Sequence, residues 1–466
     1  RLIYYQDAHH FHAKRLDPPV SIRKLQYPVD ELLGTGVDVL AFGLGYGDVY
    51  FHDSKVGRVV DQKKEVWTNL PDWRIMRMVK DAREMGTDQL KEVVNRGREM
   101  GLSVIPSLKI QSCDKPDSDR AGLLKWDRHE EVCLGEIDEW HPRYEFCYDY
   151  AHPAVREAKL AVIGEVLEDY QADGIELDFT ASPGGAPHFL KSEDVEEYTP
   201  VLTDYMRRIA AMTRSGSEGK KLLGVRVYPT EEINRSRGLD VRQWLEEGLV
   251  DYVMGLLYID FKLDPDMPID WLIEAAHAAD ISVYGMLQPY VRDENSGSPD
   301  QVYASGAATR AAAANYWDWG VDGLCTYMLD WPLGTEERAM LSEWGDPGQI
   351  AGCDKHYVFA RCSEAAVALD YAHPLPCELA VGAEGCDVPF YLADDLVAMA
   401  DRLAGVRLRL YCSNIVSADQ LAVSLNGCSL AGEVCHRVRK SERDGFPHSG
   451  PRNFWLDFQL EEIRPV

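Results

Sequence analysis

The sequence has no apolar run close to the roughly 20 residues that a helix needs to cross a bilayer, so a membrane protein is not expected. Positive charge is scarce: 49 Lys and Arg stand against 77 Asp and Glu, which gives a net charge of −28. This balance disfavours binding to nucleic-acid phosphates and to anionic membrane surfaces. Hydrophobic residues make up 45% of the chain, which is ordinary for a globular protein. We therefore expect a globular protein whose partner is neither nucleic acid nor membrane.

Several cofactor motifs are also missing from the sequence. Neither GxGxxG nor GxxxxGK[ST] occurs, so a nucleotide phosphate loop is not expected. The segment Gly43-Leu-Gly-Tyr-Gly47 has the wrong spacing for one and is interpreted as a flexible loop. No CxxC pair and no HExxH occurs, and no cofactor is predicted.

The eleven cysteines are odd in number and irregularly spaced, which does not suggest a disulfide framework. Most are expected to be buried thiols. One or two disulfides in the C-terminal part are the alternative if the protein is exported. A periplasmic or secreted location is favoured only if a signal peptide has been removed ahead of Arg1, and the location is otherwise left open.

Apolar strands alternate with amphipathic helices along most of the chain. The predicted strands are Leu2–Gln6, Val37–Gly43, Ser103–Lys109, Gly174–Phe179, Leu222–Tyr228, Tyr252–Tyr258, Ser282–Gln288 and Gly323–Leu329. Eight strands that alternate with helices predict an α/β fold of the (β/α)8 TIM-barrel type. A doubly wound open sheet is the alternative.

The pattern changes near residues 346–352, where helical periodicity gives way to short alternating segments. Asn426-Gly427 is a typical two-residue hairpin turn, and Phe454–Leu460 alternates like a strand. We predict a catalytic barrel over residues 1–345 and a small accessory β-sandwich over residues 352–466. A structural role for this sandwich is favoured over carbohydrate binding.

The most informative segment is Asp173-Gly-Ile-Glu-Leu-Asp-Phe-Thr180 on the fourth predicted strand. Glu176 and Asp178 share one face of this strand, because side chains alternate between faces. Two adjacent carboxylates are costly to bury without a purpose, and their proximity can separate the role of an acid from that of a base. A solvated strand end is the structural alternative.

The other strand ends are acidic and aromatic. In TIM barrels, catalytic groups lie at the carboxyl ends of the strands. Carboxylates can transfer protons and glycosyl groups, while Tyr and Trp rings stack on sugars. The predicted substrate-binding residues at these ends are His9, His10, Arg226, Tyr228, Tyr258, Gln288, Tyr290, Tyr327, Asp330 and Trp331.

Histidines cluster after the first predicted strand. His9 and His12, together with Asp7, could ligate a metal, although spacing alone is weak support. A role for His9 or His10 in substrate binding is favoured over metal binding, and a structural role is the remaining alternative. No metal ligand is therefore predicted.

These motifs resemble those of known carbohydrate-active barrels. The Asp173–Thr180 segment is similar to the DGxDxDxE signature of family 18 chitinases. In that family the final Glu is the proton donor, but Thr180 stands at its position, so the chitinase mechanism is not carried over. The region from Leu2 to Pro332 resembles bacterial family-10-like glycosyl hydrolases. In these, a helix of the type Trp244-Leu-Glu-Glu-Gly-Leu-Val-Asp251 leads into a strand ending in Leu-Tyr, as Leu257-Tyr258 does here.

Two further resemblances concern position. Several retaining α-glycosidase clans place an Asp nucleophile at the end of strand four, and some place the acid/base Asp at the end of strand six. Asp178 and Asp260 are similarly placed. Some fucose-directed retaining enzymes bind sugar hydroxyls with a His at the barrel mouth, which implies that role for His9 or His10.

The sequence therefore predicts a glycosidase that cleaves a polysaccharide or oligosaccharide, with a retaining mechanism favoured. The catalytic residues would be Asp178 as nucleophile, its pKa kept low by Arg226 or a Tyr, and Asp260 or Glu176 as acid/base. An inverting mechanism, with Glu176 or Asp330 activating water, is the competing one. Two other classes stay open: a noncatalytic carbohydrate-binding barrel, and a metal-dependent hydrolase or deacetylase using the histidines with Asp178.

Overall fold

The computed structural model describes residues 1–62, 66–67, 69–137, 143–181, 185–215, 219–258, 261–292, 301–359, 364–371, 375–382, 385–416, 418–432, 435–439 and 454–460. The chain divides into two compact units. The first comprises Arg1–Pro289 and Ser305–Tyr391, and the second comprises Tyr290–Ala304 and Leu392–Val466. Each unit is described by itself.

The first unit contains a closed barrel of eight parallel strands in sequential order. Its strands are β1 (Leu2–Gln6), β2 (Val39–Gly43), β3 (Ser103–Lys109), β4 (Gly174–Asp178), β5 (Leu222–Val227), β6 (Tyr252–Gly255), β7 (Ser282–Leu287) and β8 (Gly323–Tyr327). Strand β1 pairs with both β2 and β8, which closes the sheet. The predicted TIM barrel is confirmed, and closure of the sheet excludes the open doubly wound alternative.

Helices connect the strands, and their ends follow from the local sequence. The helix Gln89–Met100 begins where the Asp88 side chain accepts the Lys91 N–H, and it ends at Gly101, whose φ is 73°. The other helices of this unit are Ala8–His10, the π-helix Phe11–Arg15, Ile22–Asp30, Leu70–Glu84, Leu123–Val132, Pro153–Asp169, Val195–Arg214, Glu231–Ser236, Val241–Glu246, Asp270–Ala278, Gly306–Asp318, Thr335–Glu343, Pro347–Ile350 and Glu364–Ala368; three-residue 3-10 helices cover Tyr144–Phe146 and Ser192–Asp194. In the part of the chain described, none of the helices has the length and apolar character to cross a membrane.

Side chains fill the barrel, because alternate residues of each strand point inward. The packed interior includes Ile3, Tyr5, Val39, Ala41, Ile105, Tyr252, Met254, Tyr284, Met286, Cys325 and Tyr327. Burial of each aliphatic side chain contributes about 1.5–3 kcal/mol. Gly224 leaves space for a large neighbour, since a Cβ there would lie 1.9 Å from Tyr252 Cζ. The phenol of Tyr252 can therefore extend across β5 towards β4.

The second unit is built of antiparallel strands. A three-stranded sheet joins β9 (Val406–Cys412), β10 (Cys435–Arg439) and β11 (Phe454–Leu460), with β11 in the centre. Two hairpins accompany it, Tyr290–Arg292 with Gln301–Tyr303 and Ser424–Leu425 with Cys428–Ser429. The unit also includes the short 3-10 helix Ala400–Arg402.

The C-terminal prediction agrees with these strands. Asn426 and Gly427, with φ of 50° and 75°, form the predicted hairpin turn. A barrel followed by a C-terminal β domain is thus confirmed, while the boundary expected between residues 345 and 352 stays a prediction.

Three expectations from the sequence are wrong. The Gly43–Gly47 segment is not a flexible loop, because Gly45–Tyr46 pairs with Val49–Tyr50 in a small three-stranded sheet. A disulfide joins Cys113 to Cys147 in the barrel unit, where no disulfide was expected. Of the other described cysteines, Cys325 is buried and most are partly exposed, so buried thiols are not the majority. Sequence spacing gave no signal for the disulfide, because the fold brings together residues 34 positions apart.

Candidate active site

The site lies at the carboxyl ends of the barrel strands. Parallel pairing places Lys109 of β3 beside Asp178 of β4, and Asp178 beside Arg226 of β5. All three residues alternate with outward-facing neighbours, so their side chains enter the barrel from adjacent strands. Asp178 therefore has a basic residue beside it on each of the two neighbouring strands.

Asp178 is fully buried and held in one orientation. Its Oδ1 accepts hydrogen bonds from the Thr180 backbone N–H at 2.9 Å and the Thr180 hydroxyl at 2.8 Å. Its Oδ2 accepts a longer bond of 3.3 Å from the Tyr258 hydroxyl, and Arg226 Nη1 lies 3.9 Å away. Thr180 thus fixes one oxygen of the carboxylate and leaves the other less strongly bonded.

Glu176 lies one inward position deeper, and both of its oxygens are engaged. Arg226 Nη2 is 2.6 Å from Oε1, and Ser107 donates to the same oxygen at 2.8 Å. Tyr252 donates to Oε2 at 3.1 Å. The two predicted carboxylates are therefore close along one strand but differ in environment.

Arg226 links the two carboxylates. Its guanidinium lies over the Tyr5 ring at 3.9 Å and donates to the Tyr258 hydroxyl at 3.1 Å. Burial lowers the pKa of Arg226, but the charges of Glu176 and other neighbours outweigh burial and hold this pKa well above its usual value. Arg226 therefore stays positively charged beside Asp178.

Three other polar groups at the strand ends have no hydrogen-bond partner among the described residues. They are the hydroxyls of Tyr5 and Tyr327 and the Oε1 atom of Gln288. The Tyr327 ring lies 5.9 Å from the rings of both Tyr5 and Tyr258. Burial raises the pKa of each tyrosine well above 10, so these hydroxyls stay protonated. They can donate hydrogen bonds to a polar ligand.

Asp7 continues the inward series of β1 and contacts the histidines. It accepts the His9 backbone N–H at 3.0 Å, and its Oδ2 lies 3.2 Å from both His10 Nδ1 and Lys109 Nζ. Burial raises the pKa of Asp7, but Lys109 and His10 outweigh burial and hold it well below its usual range. Asp7 is therefore an ionised carboxylate at the barrel mouth.

The ligand atoms of Asp7, His9 and His10 lie within 4.8 Å of one another, which is compatible with a metal ion. Two cations already contact these atoms, however. Lys109 Nζ is 3.2 Å from Asp7 Oδ2, and Arg120 Nη2 is 3.4 Å from His9 Nε2. A divalent ion would have to displace both. His12, by contrast, is buried and bonds the Ala8 carbonyl through Nδ1 at 2.7 Å.

Other predicted site residues serve the surrounding structure. Tyr228 donates to the Phe179 carbonyl at 3.1 Å. Asp330 is exposed, and its Oδ1 accepts the Trp331 backbone N–H at 2.9 Å. The Trp331 indole donates to Glu31 at 3.0 Å.

Two predicted residues are not brought to the barrel mouth by any described contact. Asp260, the predicted acid/base, lies outside the described residues. Tyr290 belongs to the second unit, where its ring lies 5.1 Å from that of Tyr303.

Sequence reasoning overlooked three residues around the site. Tyr5 points inward two positions before Asp7, and the alternation of β1 could have revealed it. Tyr46 lies in the two-residue strand after β2, and Arg120 follows β3; neither segment has a periodic pattern that indicates orientation. The proximity of Arg120 to His9 follows from tertiary folding alone.

No family model and no curated protein matches this chain. Solved structures with a similar fold include α-L-fucosidase isoenzyme 2 from Paenibacillus thiaminolyticus, at 14% identity and a TM-score of 0.45. That match covers 74% of this chain and 48% of the fucosidase, so the chain spans about half of its length. The glycoside hydrolase domain of PgaB (BpsB) from Bordetella bronchiseptica matches at 10% identity and a TM-score of 0.45, covering 74% and 98%.

A chitinase from Rhizomucor miehei matches at 14% identity and a TM-score of 0.38, covering 74% of this chain and 99% of the other. The expected TIM-barrel fold is confirmed by the closed parallel barrel of this chain itself. At these values the similarity assigns neither a substrate nor a mechanism to this chain.

Proposed function

We propose that the protein is a retaining glycoside hydrolase in which Asp178 is the nucleophile. The observation that carries this proposal is the unequal bonding of the Asp178 carboxylate. Thr180 anchors Oδ1 with two bonds, while Oδ2 has a single long bond to Tyr258. A nucleophilic carboxylate needs a fixed orientation together with one reactive oxygen.

In this mechanism, Asp178 Oδ2 attacks the anomeric carbon of the sugar. The bond from that carbon to the leaving oxygen breaks, and a glycosyl ester to Asp178 forms. The leaving oxygen takes a proton from the acid/base, which then removes a proton from the water that hydrolyses the ester. Arg226 Nη1 places a positive charge 3.9 Å from the attacking oxygen of Asp178.

Asp260 is the preferred candidate for the acid/base, as the resemblance in position implies. Glu176 is less suited, because Arg226, Ser107 and Tyr252 engage both of its oxygens. We assign Glu176 the role of neutralising Arg226 inside the barrel.

The sugar would be held by the polar groups around Asp178. The hydroxyls of Tyr5 and Tyr327 and the Oε1 atom of Gln288 offer hydrogen bonds that no described residue uses. His10, whose side chain is 26% exposed beside Asp7, would contact a sugar hydroxyl at the rim. Mixed aromatic and hydrogen-bonding groups of this kind suit sugar rings, which have both apolar faces and hydroxyl edges.

A metal-dependent hydrolase is the second candidate function, and the grouping of Asp7, His9 and His10 favours it. The cations Lys109 and Arg120 beside these ligand atoms speak against it. A noncatalytic carbohydrate-binding barrel would use the same polar groups without turnover.

The test is release of reducing sugar across a broad panel of polysaccharides. Wild type is compared with Asp178→Asn and with Asp117→Asn, an exposed control in the loop after β3. We expect turnover of at least one glycan by wild type and the control, with loss of about a thousandfold or more in Asp178→Asn. Glycan binding without turnover in wild type would contradict hydrolysis and favour the binding barrel. Turnover that persists in Asp178→Asn would contradict the role of Asp178.

A further inference from the structure

Arg120 is an oriented cation at the barrel mouth. In the part of the chain that the structure describes, Arg120 forms no ion pair. Two other cations of the β3 end and the following loop, Lys109 and Arg143, pair with Asp7 and Asp114.

The backbone of Arg120 is fixed by a close contact with the loop after β2. Its carbonyl accepts the Asp48 N–H at 3.1 Å. Gly47, with φ of 56°, allows this approach, since a Cβ there would lie 2.5 Å from the Arg120 oxygen. The residue is therefore attached to two loops of the barrel mouth at once.

The side chain of Arg120 is held on two sides. Its guanidinium lies over the Tyr46 ring at 4.8 Å, and Nη2 donates to His9 Nε2 at 3.4 Å. Burial lowers the pKa of His9 to about 3, so His9 is a neutral acceptor that does not repel the guanidinium. Loops after β1, β2 and β3 thus orient one partly exposed arginine.

A guanidinium has five N–H donors, and its planar fork matches a carboxylate or a sulfate. The contact with His9 uses one nitrogen and leaves donors for a ligand. The charge of Lys109 also acts on His9, so a second cation stands nearby, although Asp7 neutralises it.

We propose that Arg120 binds an anionic group carried by the sugar substrate, a uronate carboxylate or a sulfate ester. This inference deepens the proposed glycosidase function and rests on it for the identity of the ligand as a carbohydrate. The group would dock against the guanidinium above Tyr46 while the sugar ring extends towards Asp178. The local cation would offset the repulsion that the acidic chain exerts on an anionic glycan.

The experiment measures binding in the Asp178→Asn background, where the proposed turnover is blocked. The probes are trigalacturonic acid with its uncharged methyl ester, and a sulfated galactose trisaccharide with its desulfated form. Dissociation constants are measured by calorimetry for the Asp178→Asn protein. They are compared with those of double variants that also carry Arg120→Gln, Arg120→Lys or the control Arg143→Gln. Equal melting temperatures of the Arg120→Gln and Arg143→Gln variants show that folding is preserved.

We expect at least one anionic probe to bind about tenfold more tightly than its uncharged form. Arg120→Gln should bring this ratio close to one, Arg120→Lys should restore part of it, and Arg143→Gln should leave it unchanged. The pair of probes that shows the effect distinguishes a carboxylate from a sulfate.

Equal affinities within both pairs, no binding of either anionic probe, or an unchanged ratio in Arg120→Gln would each overturn the proposal. The two proposals can fail separately. Turnover of neutral glycans by wild type together with equal affinities would remove the anion site and retain the glycosidase. Binding of an anionic probe that depends on Arg120, without turnover of any glycan by wild type, would retain the anion site and remove the glycosidase.

Discussion

Arg226 and Glu176 form an ion pair inside the barrel, with Nη2 2.6 Å from Oε1 and both side chains fully buried. Ser107 and Tyr252 complete the hydrogen bonding of the carboxylate. A buried ion pair adds little net stability, but loss of one partner leaves an uncompensated charge in a medium of low dielectric constant. The stability of the barrel therefore depends on the presence of both charges of this pair.

Replacement of one partner should destabilise the protein strongly. We expect Glu176→Gln to lower the free energy of unfolding by about 3 kcal/mol, because Arg226 loses its closest counter-ion and keeps only Asp178, 3.9 Å away. The double variant Glu176→Leu/Arg226→Met removes both charges and should recover part of that loss, since Asp178 then loses its neighbouring cation. Urea denaturation measures both effects. A cost below about 1 kcal/mol for Glu176→Gln would contradict the structural role assigned to this carboxylate.

Much of the barrel was predictable because its strands are buried on both faces and separated by regular helices. Strands β1 and β3 have the predicted bounds, whereas β6 ends at Gly255 rather than at the predicted Tyr258. The apolar pattern continues through Tyr258 because that side chain still points into the barrel after the ladder has ended. Apolar periodicity indicates which side chains are buried, but it does not indicate where the backbone hydrogen bonds between strands end.

The site was predictable only in part. Alternation placed Glu176 and Asp178 on one face, and that expectation agrees with their shared contact to Arg226. Alternation could not reveal that Glu176 is fully engaged and Asp178 is not, since this depends on Ser107 and Tyr252 from other strands.

The Cys113–Cys147 disulfide should stabilise the segment after β3. It closes a loop of 34 residues. For a loop of that length, chain entropy predicts a loss of about 3–4 kcal/mol in the free energy of unfolding on Cys113→Ser/Cys147→Ser substitution. Denaturation under non-reducing conditions measures this loss. Dithiothreitol should destabilise wild type and leave the double variant unchanged; equal sensitivity of both proteins would show that the bond does not form in solution.

Glu165 should make stability fall in acid. Burial raises the pKa of Glu165, but hydrogen bonds from His52, Ser54 and the Lys55 backbone N–H outweigh burial and bring it from 4.5 to about 2. Because the folded pKa lies below the unfolded value, the ionised carboxylate stabilises the fold above about pH 4.5. This stabilisation is lost as the pH falls towards 2.

The check is the melting temperature between pH 6 and pH 2. Glu165→Gln should be less stable than wild type at pH 6, and the difference should shrink towards pH 2. The matched control is Glu168→Gln, on the exposed face of the same helix, and it should follow wild type throughout. A difference for Glu165→Gln that stays constant over this range would contradict the low pKa.

Chelation should leave turnover unchanged. Lys109 and Arg120 contact the ligand atoms of Asp7 and His9, so a divalent ion would meet two positive charges at this position. Hydrolysis of the panel glycan is measured after dialysis against EDTA and again after addition of Zn²⁺ or Mn²⁺. Loss of activity on dialysis with recovery on either ion would favour the metal-dependent hydrolase over the glycosidase.

The most direct test of Asp178 as nucleophile is rescue of a variant by azide. Asp178→Gly removes the carboxylate, and the control Asp117→Gly removes an exposed one in the loop after β3. On the glycan hydrolysed by wild type, we expect Asp178→Gly to be inactive without azide. With azide, it should form a glycosyl azide whose anomeric configuration is opposite to that of the substrate, because azide attacks from the side of the missing carboxylate. Undiminished hydrolysis by Asp178→Gly, or a glycosyl azide that retains the configuration of the substrate, would contradict the assignment of Asp178 as nucleophile.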